Sequence, residues 1–532
     1  MVEHGRPDDR DVPGRQSIDQ AGNVQPAGRI REREHQEPDD AAGLANEQQR
    51  TATVPIAEGP QSGGSQQLAE RVGGEDTPNG QGAQVKSLGG EGKHRQHDRV
   101  AERVREREQP EQQDQARAGI SRVDIRLSAP ASTRDKRRFG RAAWHELRIY
   151  AASHPLALLF SEVVRRFGPV VRIPVLGAVV NDPQVARELL EDEHGFSKTG
   201  PGSMGVVITQ VMGEYALFNM RGESHRVLRA QLSDLFARAY LDRLDAAVLQ
   251  PAVEALRLEL EAGARVDLVR FVHVLTGGLM CHMLGIDARD ERTSLEMWQL
   301  GEELVSILRL STRRLSEQQV TERQAVLERL VAYMRAAYDS SATPDSLIQR
   351  LRALGLPFDQ IKGVTASLFL AGTQTVSTAL PRLAALLVDS AEMSRVREHR
   401  ALLPLAIDEG LRLTVPTPIM LRSVEVDSVV LGHRFRRGSR VMIHTYNLLK
   451  HPGWFPRPRR FDIDRRVDRR VRNLWFGAGA HFCIGYTLAH RQLRAVMTGL
   501  LDLPQPVRIA RRRYARGVLI PAYSLLEVEL PR

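Results

Sequence analysis

The chain has 532 residues, of which 42% are hydrophobic and 26% are charged, and it carries a formal net charge of +10. Its only cysteines are Cys281 and Cys483, so a disulfide framework is excluded and a reducing compartment is indicated. The sequence shows neither an apolar run of about 18 residues nor the apolar core of a secretory signal, so we expect a cytoplasmic protein without a membrane anchor.

The composition changes sharply along the chain. Phe, Trp and Tyr are absent from the first 138 residues and begin at Phe139. A segment without large apolar side chains cannot bury enough surface to offset the entropy that ordering costs. We therefore predict that residues 1–135 form a disordered extension, in which His97–Gln115 is suited to a transient helix, and that residues 136–532 form one folded domain.

The folded part opens with alternating helix and strand signals. Apolar residues at helical spacing predict a helix through Phe160–Phe167. Val170–Asn181 has the alternation of a hairpin, and the Asp182-Pro pair that follows is typical of a helix start, with Asp182 as the N-cap. Residues 201–220 are apolar but rich in glycine, and we predict a loop-rich stretch there.

The rest of the chain is mostly helical, with strands near its end. Residues 222–400 carry a helical apolar pattern almost throughout, strands are predicted within Val424–Ile443, and 452–482 is irregular. A helix follows Cys483, and Arg516–Leu530 alternates like a hairpin. The sequence thus predicts a mainly α protein of the α+β type with small sheets.

The strongest chemical signal is a glycine-rich loop around the second cysteine, Phe476-Gly-Ala-Gly-Ala-His481-Phe-Cys483-Ile-Gly485. Gly477 and the second glycine of this loop allow a tight turn close to a flat ligand. Cys483 lies just before a helix, whose first amides favour a thiolate. A thiolate binds iron and promotes cleavage of the O–O bond, whereas a lone cysteine is more commonly a small buried apolar residue.

This loop resembles the heme-binding signature of the cytochrome P450 family, Phe-x-x-Gly-x-Arg/His-x-Cys-x-Gly, at every fixed position. The resemblance implies that Cys483 is the axial ligand of a heme b iron, that His481 pairs with a heme propionate and that Phe476 packs beside the thiolate. Gly485 would leave room for the backbone beneath the ring. The resemblance also implies the P450-like helical fold, with the heme between two central helices.

Two further motifs match the propionate-binding positions of the same family. His225 and Arg229 lie one turn apart on one face of a predicted helix, where two basic groups can hold a carboxylate. The family uses such a His-x-x-x-Arg pair for the heme propionates, and Arg422 matches a further arginine with that role. Taken alone, the pair could equally belong to an ordinary solvated helix face.

Glu409 and Arg412 resemble the Glu-x-x-Arg motif of the family. Alone, such a pair at i and i+3 is usually a surface ion pair of little energetic weight. The resemblance implies a buried network that locks the cysteine loop, in which Arg460 of the irregular segment is the third member.

An oxygen-activation segment is indicated inside a long apolar helix at about 361–388. Ala371, Gly372 and Thr375 match the family's (Ala/Gly)-Gly-x-(Asp/Glu)-Thr, which implies that the small residues open a groove and that the Thr375 hydroxyl donates toward bound oxygen. Gln374 stands where the family has an acid. An amide orders water but cannot ionise, so proton delivery would differ here.

The resemblance implies a heme-thiolate monooxygenase that inserts one oxygen atom from O2 into its substrate. No flavin or iron–sulfur segment is evident, so we expect electrons from a separate ferredoxin and ferredoxin reductase. Arg457–Arg472 holds eight Arg and three Asp just before the cysteine loop. This segment is either a docking site for an acidic ferredoxin or an internally paired, solvated run.

The expected substrate is a hydrophobic small molecule, because the side chains that would line the pocket are apolar. The same side chains could equally belong to the core. They are Met204, Val207, Ile208, Val211, Met212, Leu368, Ile419 and Leu525.

Other functions stay open at this point. Gln374 suggests a peroxide-dependent heme-thiolate enzyme, and a non-catalytic heme-binding sensor would have no need of Thr375. The basic net charge alone does not indicate nucleic-acid binding, since no recognised module is evident, and we expect no nucleic-acid partner.

Overall fold

The computed structural model describes residues 140–174, 176–288, 290–306, 314–340 and 342–531. The extension predicted at residues 1–135, with its candidate helix His97–Gln115, lies outside the described residues. None of the helices in the described ranges combines the length and the apolar character that crossing a bilayer requires.

The described residues fold into helices with small sheets, which confirms the predicted class. In chain order, the helices are α1 (Arg141–Ser153), α2 (Pro155–Val164), α3 (Pro183–Glu191), α4 (Met204–Met212), α5 (Gly222–Gln231), α6 (Arg238–Leu244), α7 (Gln250–Glu261), α8 (Leu268–Leu284), α9 (Glu291–Val305), α10 (Glu317–Asp339), α11 (Leu347–Ala353), α12 (Phe358–Asp389), α13 (Met393–Glu398), α14 (Leu403–Thr414), α15 (Thr445–Leu449) and α16 (Tyr486–Asp502). The strands are β1 (Val170–Ile173), β2 (Gly177–Val180), β3 (Phe196–Ser197), β4 (Val266–Asp267), β5 (Met420–Val424), β6 (Ser428–Val430), β7 (His433–Phe435), β8 (Arg440–Ile443), β9 (Arg508–Tyr514) and β10 (Tyr523–Glu529).

The N-cap predicted for the third helix is present. Oδ1 of Asp182 accepts hydrogen bonds from the amides of Gln184 and Val185 at 2.8 and 3.0 Å, so two of the first free amides of α3 are satisfied. The second carboxylate oxygen accepts from the Trp454 indole at 3.3 Å. The cap therefore also ties α3 to the irregular segment before the cysteine loop.

The loop-rich stretch predicted at residues 201–220 is only partly correct, because Met204–Met212 within it forms helix α4. Two of its glycines lie at the ends of the helix, and Gly213 terminates it with a φ of +81°. Gly205 lies inside the helix because a Cβ at this position would collide with the backbone carbonyl of Lys198. The glycines here mark close packing and a helix end, and they do not interrupt the helix.

The predicted C-terminal hairpin exists but begins earlier than expected. Strand β9 covers Arg508–Tyr514 and pairs antiparallel with β10, Tyr523–Glu529. The alternation of β9 is hidden in the sequence by three consecutive arginines, 511–513. Strands in the region of Val424–Ile443 are also present, although β5 already begins at Met420.

A five-stranded sheet carries one of the basic residues of the site. Its strand order is β1-β2-β8-β5-β3, with β2 and β8 parallel and the other neighbours antiparallel. Arg422 lies on β5, between β8 and the short strand β3. Because Ser197 of β3 pairs with Ser423, the antiparallel register brings Lys198 beside Arg422.

Helix α12 is the centre of the core, and most of its side chains are buried. It packs against α1, α8, α9, α14 and α16. Near its C-terminal end, the fully buried Arg382 donates to Glu146 of α1 at 3.3 Å and to the carbonyls of Thr414 and Pro521 at 2.7 and 2.9 Å. These bonds fix the position of α12 against the end of α14, the helix that also carries Glu409.

Candidate functional site

A cavity of about 390 Å³ separates the central helix α12 from the segment that carries the second cysteine. The α12 wall includes Ala371, Gly372 and Thr375, and the facing wall includes Phe476, Gly477, His481, Cys483 and Gly485. The sequence analysis predicted these two sets of residues from separate motifs of the chain. The structure places both sets on the wall of one cavity.

The backbone of the cysteine loop presents its sulfur to this space. Gly477 and Gly479 have φ angles of +80° and +68°, which glycine adopts at little cost. A Cβ at Gly479 would come within 2.5 Å of the Leu190 carbonyl of α3, so only glycine fits this contact. The amide of Cys483 donates to the carbonyl of Phe476 at 3.0 Å and closes the loop.

Aromatic side chains support the loop from the side of α16. The ring of Phe476 contacts Tyr486 at 4.9 Å, His490 at 5.6 Å and Phe482 at 6.2 Å between centroids. Phe476 therefore lies between the Cys483 loop and the first turn of the following helix, where it also lines the cavity.

The Cys483 thiol lies in a mixed electrostatic environment. Burial raises its pKa, while the Gly485 amide and the charges of Arg229 and Lys198 act in the opposite direction. The sequence analysis expected the amides at the helix N-terminus to favour a thiolate. Such an amide does lower the pKa of Cys483, but burial raises it by more. Gly485 has no side chain, and a Cβ there would lie in van der Waals contact with the Cys483 sulfur, 3.9 Å away, so glycine leaves more space beside the sulfur.

Five basic residues cluster at one end of the cavity, and we call them the basic cluster: Lys198, His225, Arg229, Arg422 and His481. Lys198, Arg422 and His481 line the cavity. The His225 ring packs on the His481 ring, 4.3 Å away between centroids, and Arg229 donates to the carbonyl of Phe482. The predicted His/Arg pair therefore supports the cavity wall from behind, while Lys198 is a member that the sequence analysis missed.

Burial and mutual repulsion dominate the electrostatics of the basic cluster. Burial, together with Arg422 and Arg229, holds the pKa of Lys198 well below its ordinary value. Burial lowers the pKa of Arg422 to about 10. Burial also lowers the pKa of His225 to about 4 and that of His481 to about 2, with further lowering from the neighbouring basic groups. A negatively charged ligand would relieve this repulsion.

An unsatisfied nitrogen points to the same kind of ligand. His225 is 1% exposed, and its Nδ1 has no hydrogen-bond partner among the described residues. Buried polar atoms are normally paired, so an orphan beside a cluster of basic groups is a feature that requires explanation. The basic cluster thus has the charge and the donors that fit the carboxylates of a cofactor such as heme b.

The predicted oxygen segment lies on the cavity side of α12. The Thr375 hydroxyl donates to the Ala371 carbonyl at 3.0 Å, and both residues line the cavity. A Cβ at Gly372 would come within 2.5 Å of the Met280 sulfur. Gly372 therefore also permits close packing of α8 against α12, a role that the sequence motif does not indicate.

Gln374 does not face the cavity, although it belongs to the predicted oxygen-activation motif. Its side chain is 3% exposed and does not line the cavity, and its Nε2 donates to the Trp298 carbonyl of α9 at 3.3 Å. The Trp298 indole in turn donates to Ser377 of α12 at 3.2 Å. Successive helical residues point about 100° apart, so Gln374 faces α9 while Thr375 faces the cavity.

Glu409 and Arg412 form a buried network behind the cysteine loop. Arg412 donates to both carboxylate oxygens of Glu409 at 2.7 and 2.8 Å, and it also binds the Leu449 and Pro458 carbonyls at 2.6 and 2.8 Å. The network therefore fixes the irregular segment that leads to the loop.

The assignment of Arg460 as the third arginine of this network is wrong. Its side chain is exposed, and the third arginine is Arg465, whose Nε lies 3.1 and 3.2 Å from the two oxygens of Glu409. Residues 457–460 form a turn that is closed by the Arg460 amide donating to the Arg457 carbonyl at 3.0 Å, and this turn leaves the Arg460 side chain in solvent. Only the backbone carbonyl of Arg460 takes part, as an acceptor from Arg465 at 3.1 Å and from Arg412 at 3.4 Å.

The arginine-rich segment divides into paired and unpaired members. Arg457, Arg459, Arg465 and Arg470 each contact a carboxylate. For the other four, no carboxylate of the described residues lies within ion-pair distance, and all four side chains are exposed: Arg460, Arg466, Arg469 and Arg472.

Most of the remaining cavity wall is apolar, although Asn219, Thr417 and Gln492 also line it. Of the residues predicted to line it, Met204, Ile208, Leu368 and Ile419 do so. Val207, Val211 and Met212 belong to the buried core instead, and Leu525 is not part of this wall. The wall also includes apolar residues that the sequence analysis missed, among them Phe218, Met280, Met283, Leu284, Val376 and Ala379.

Comparison with known proteins places this geometry in a family. A family model described as Cytochrome P450 matches residues 142–503. The Putative cytochrome P450 140 of Mycobacterium tuberculosis is 26% identical over 398 residues, which cover 70% of this chain and 88% of that protein.

Solved structures share the fold. The versatile cytochrome P450 enzyme CYP109B1 from Bacillus subtilis matches with a TM-score of 0.59 and 20% identity, over 71% of this chain and 100% of that one. CYP109E1 from Bacillus megaterium, solved in complex with corticosterone, matches with a TM-score of 0.59 and 20% identity, over 72% of this chain and 99% of that one. At these identities the likeness shows the fold alone.

The two arginines of the irregular segment provide a direct test of the buried network. Arg465→Ala should lower the free energy of unfolding by about 3 kcal/mol, because it removes one partner of a buried carboxylate. Arg460→Ala should change it by less than about 0.5 kcal/mol, since the backbone carbonyl remains and the side chain is solvated. Urea unfolding followed by tryptophan fluorescence measures both. Equal losses in the two variants would contradict the network as described.

Proposed function

The chain belongs to the cytochrome P450 family of heme-thiolate monooxygenases, which bind heme b, and we propose that it inserts one oxygen atom from O2 into a hydrophobic small molecule with electrons from separate redox proteins. The observation that carries this proposal is the position of Cys483 and Thr375 on opposite walls of one cavity. A heme-binding sensor would need the cysteine loop, but it would not need an apolar chamber with a hydroxyl on its far wall.

Cys483 is the residue that would hold the heme iron, through its sulfur. Burial disfavours a free thiolate at this position, but coordination to a metal deprotonates a thiol outright. The glycine turns and the Phe476 carbonyl hold the sulfur toward the cavity, so the chain supplies a ligand that needs little rearrangement. When bound, the heme supplies the O2 chemistry, and the thiolate ligand promotes O–O cleavage.

The basic cluster is the proposed binding site for the heme propionates. Lys198, Arg422 and His481 line the cavity and can contact the carboxylates directly. His225 and Arg229 support them from behind, through the ring contact with His481 and the bond to the Phe482 carbonyl. Charge-assisted bonds of this kind are stronger than neutral ones. A propionate would also offer a negatively charged acceptor near the His225 Nδ1, which has no hydrogen-bond partner among the described residues.

The proposed substrate is a hydrophobic molecule such as a steroid, a terpene or a polyketide. The cavity wall on the α12 side is formed mainly by aliphatic, methionine and phenylalanine side chains, so a polar ligand would lose hydration there without replacement hydrogen bonds. The corticosterone complex of a protein with the same fold agrees with this class. An apolar wall also excludes water, which limits side reactions.

Thr375 is the proposed proton donor on the far wall. Its hydroxyl donates to the Ala371 carbonyl at 3.0 Å, and rotation about χ1 would turn the same proton toward the cavity. Gln374 holds Trp298 and cannot supply a second proton. After Thr375 gives up its proton, water in the cavity would therefore have to replace it. Position 374 offers no ionisable side chain to relay that proton.

A peroxide-dependent heme-thiolate enzyme is the second candidate. The observation that favours it is that Gln374 is neutral, buried and bound to the Trp298 carbonyl, so no carboxylate at position 374 relays protons. Hydrogen peroxide brings its own protons and electrons, and a peroxide-dependent enzyme has less need of such a relay. Turnover with peroxide at a rate above that with a ferredoxin system would favour this second function.

The unpaired arginines of the irregular segment are the proposed docking site for an acidic ferredoxin. They lie in the segment just before the cysteine loop, and the described part of the chain offers no carboxylate within ion-pair distance of Arg460, Arg466, Arg469 or Arg472. Charges that are not neutralised within a protein can steer an oppositely charged partner. The paired arginines of the same segment have structural roles and are excluded from the proposed surface.

The positions of Thr375 and Gln374 predict different effects on catalysis. Thr375→Ala should lower product formed per O2 consumed by at least about tenfold, because a positioned proton donor is lost. Gln374→Ala should leave this ratio nearly unchanged and lower the free energy of unfolding by about 1 kcal/mol, since it removes one buried hydrogen bond. The measurements are O2 uptake, product yield and urea unfolding, with a substrate found by spin-shift screening.

The opposite ranking of the two variants would contradict the proposed roles. A Gln374→Ala variant that uncouples O2 consumption from product while Thr375→Ala does not would place the proton donor on the α9 side. Gln374→Asn is the matched control, because it keeps the amide group but shortens the side chain, so that the amide no longer reaches the Trp298 carbonyl. It should behave like Gln374→Ala in both measurements.

Ferredoxin docking predicts a dependence on ionic strength. A double variant, Arg466→Gln with Arg469→Gln, should raise the KM for an acidic ferredoxin by about tenfold, and added salt should slow ferredoxin-driven turnover. Peroxide-driven turnover should respond to neither change, because peroxide is uncharged. Arg292→Gln, on α9, is the control. Equal salt sensitivity of the two reactions would contradict docking at these arginines.

A further inference from the structure

One carboxylate faces the basic cluster within the part of the chain that the structure describes. Glu193 lies in the turn after α3, and its Oε1 is 3.2 Å from Nε2 of His481. Its negative charge also acts on Lys198 and Arg422. The side chain is 29% exposed, compared with 11% for His481, so Glu193 reaches the cluster from the solvent side and is not enclosed by it.

Glu193 occupies a position that suits a heme propionate. A glutamate side chain and a propionate end in the same carboxylate group, and both seek the same donors. Under the proposed function, His481 donates to a propionate, whereas in the structure the partner of its Nε2 is Glu193. The Glu193 Oε1 lacks a well-formed hydrogen bond despite being buried, so its 3.2 Å contact with His481 has poor geometry and another carboxylate could replace it.

We propose that Glu193 competes with a heme propionate for His481 and thereby limits how tightly this chain retains heme. The inference rests on the proposed function, because it requires heme b in the cavity. Once a propionate lies against His481, Glu193 must move toward solvent or remain beside a second negative charge. Either alternative weakens heme binding relative to a chain with a neutral residue at this position.

Glu193 also has a consequence for the bound heme. When Glu193 and a propionate both lie near the basic cluster, the net positive charge around the heme is lower than with the propionate alone. Ferrous heme carries one positive charge less than ferric heme, so nearby negative charge disfavours reduction. Glu193 is therefore a positioning residue that tunes the cofactor without contact with the substrate or the reacting atoms.

The test is the rate at which full-length ferric protein loses heme to excess apomyoglobin, followed by absorbance. Glu193→Gln keeps the shape of the side chain and removes its charge, and it should slow heme transfer by about tenfold, the lower range for a hydrogen bond with a charged partner. Glu191→Gln is the matched control, because Glu191 pairs with Arg187 at 3.0 Å on the exposed side of α3, and it should transfer heme at the wild-type rate.

A second variant and a second measurement separate charge from structure. Lys198→Met should speed heme transfer by about tenfold, in the direction opposite to Glu193→Gln. The midpoint potential of the heme should rise in Glu193→Gln and fall in Lys198→Met. Glu193→Ser should agree with Glu193→Gln in both measurements, which excludes a special effect of the amide.

Two outcomes would overturn the inference, and they are distinct from a failure of the proposed function. Wild-type rates of heme transfer in both Glu193 variants, or faster transfer, would show that Glu193 does not compete with a propionate. An unchanged or lower midpoint potential would contradict its effect on the bound heme. A wild-type protein that fails to bind heme through Cys483 would reject the proposed function itself, and the inference with it.

Discussion

The position of one sulfur atom depends on a short loop that two other parts of the molecule hold in place. The Cys483 amide bonds to the Phe476 carbonyl, and Gly479 fits closely against the end of α3. Behind the loop, Glu409 forms ion pairs with Arg412 and Arg465. Both arginines also donate hydrogen bonds to carbonyls of the irregular segment. A buried carboxylate with two arginines is costly to disrupt, so the loop is held rigidly relative to α14, and α14 is fixed to α12 through the carbonyl of Thr414.

The cavity brings two chemically different groups together. One is a buried thiol whose pKa is raised by burial, and the other is a cluster of basic residues with one facing carboxylate. A single ligand that offers a metal to the sulfur and carboxylates to the basic groups satisfies both, and heme b is such a ligand. Under the proposed role of Glu193, one acidic side chain adjusts the charge around the cofactor.

The sequence predicted the features that depend on local spacing and missed those that depend on long-range packing. The cysteine loop, the Asp182 cap and the Glu409–Arg412 pair each lie within one short segment, so their residues could be identified directly. Lys198 joins the site only because β3 pairs with β5 far along the chain. Arg465 replaces Arg460, and Gln374 turns to α9, because burial of neighbouring side chains decides which way each residue points.

The most direct test of this account is the carbon monoxide difference spectrum of the reduced protein, compared between wild type and Cys483→Ser. A thiolate ligand gives the heme–carbonyl complex a strongly red-shifted Soret band, which oxygen ligation does not reproduce. The account predicts this band in the wild type and its loss in Cys483→Ser, while heme content is at least partly retained through the basic cluster. An identical red-shifted band in both proteins would contradict the central claim that the Cys483 sulfur binds the iron.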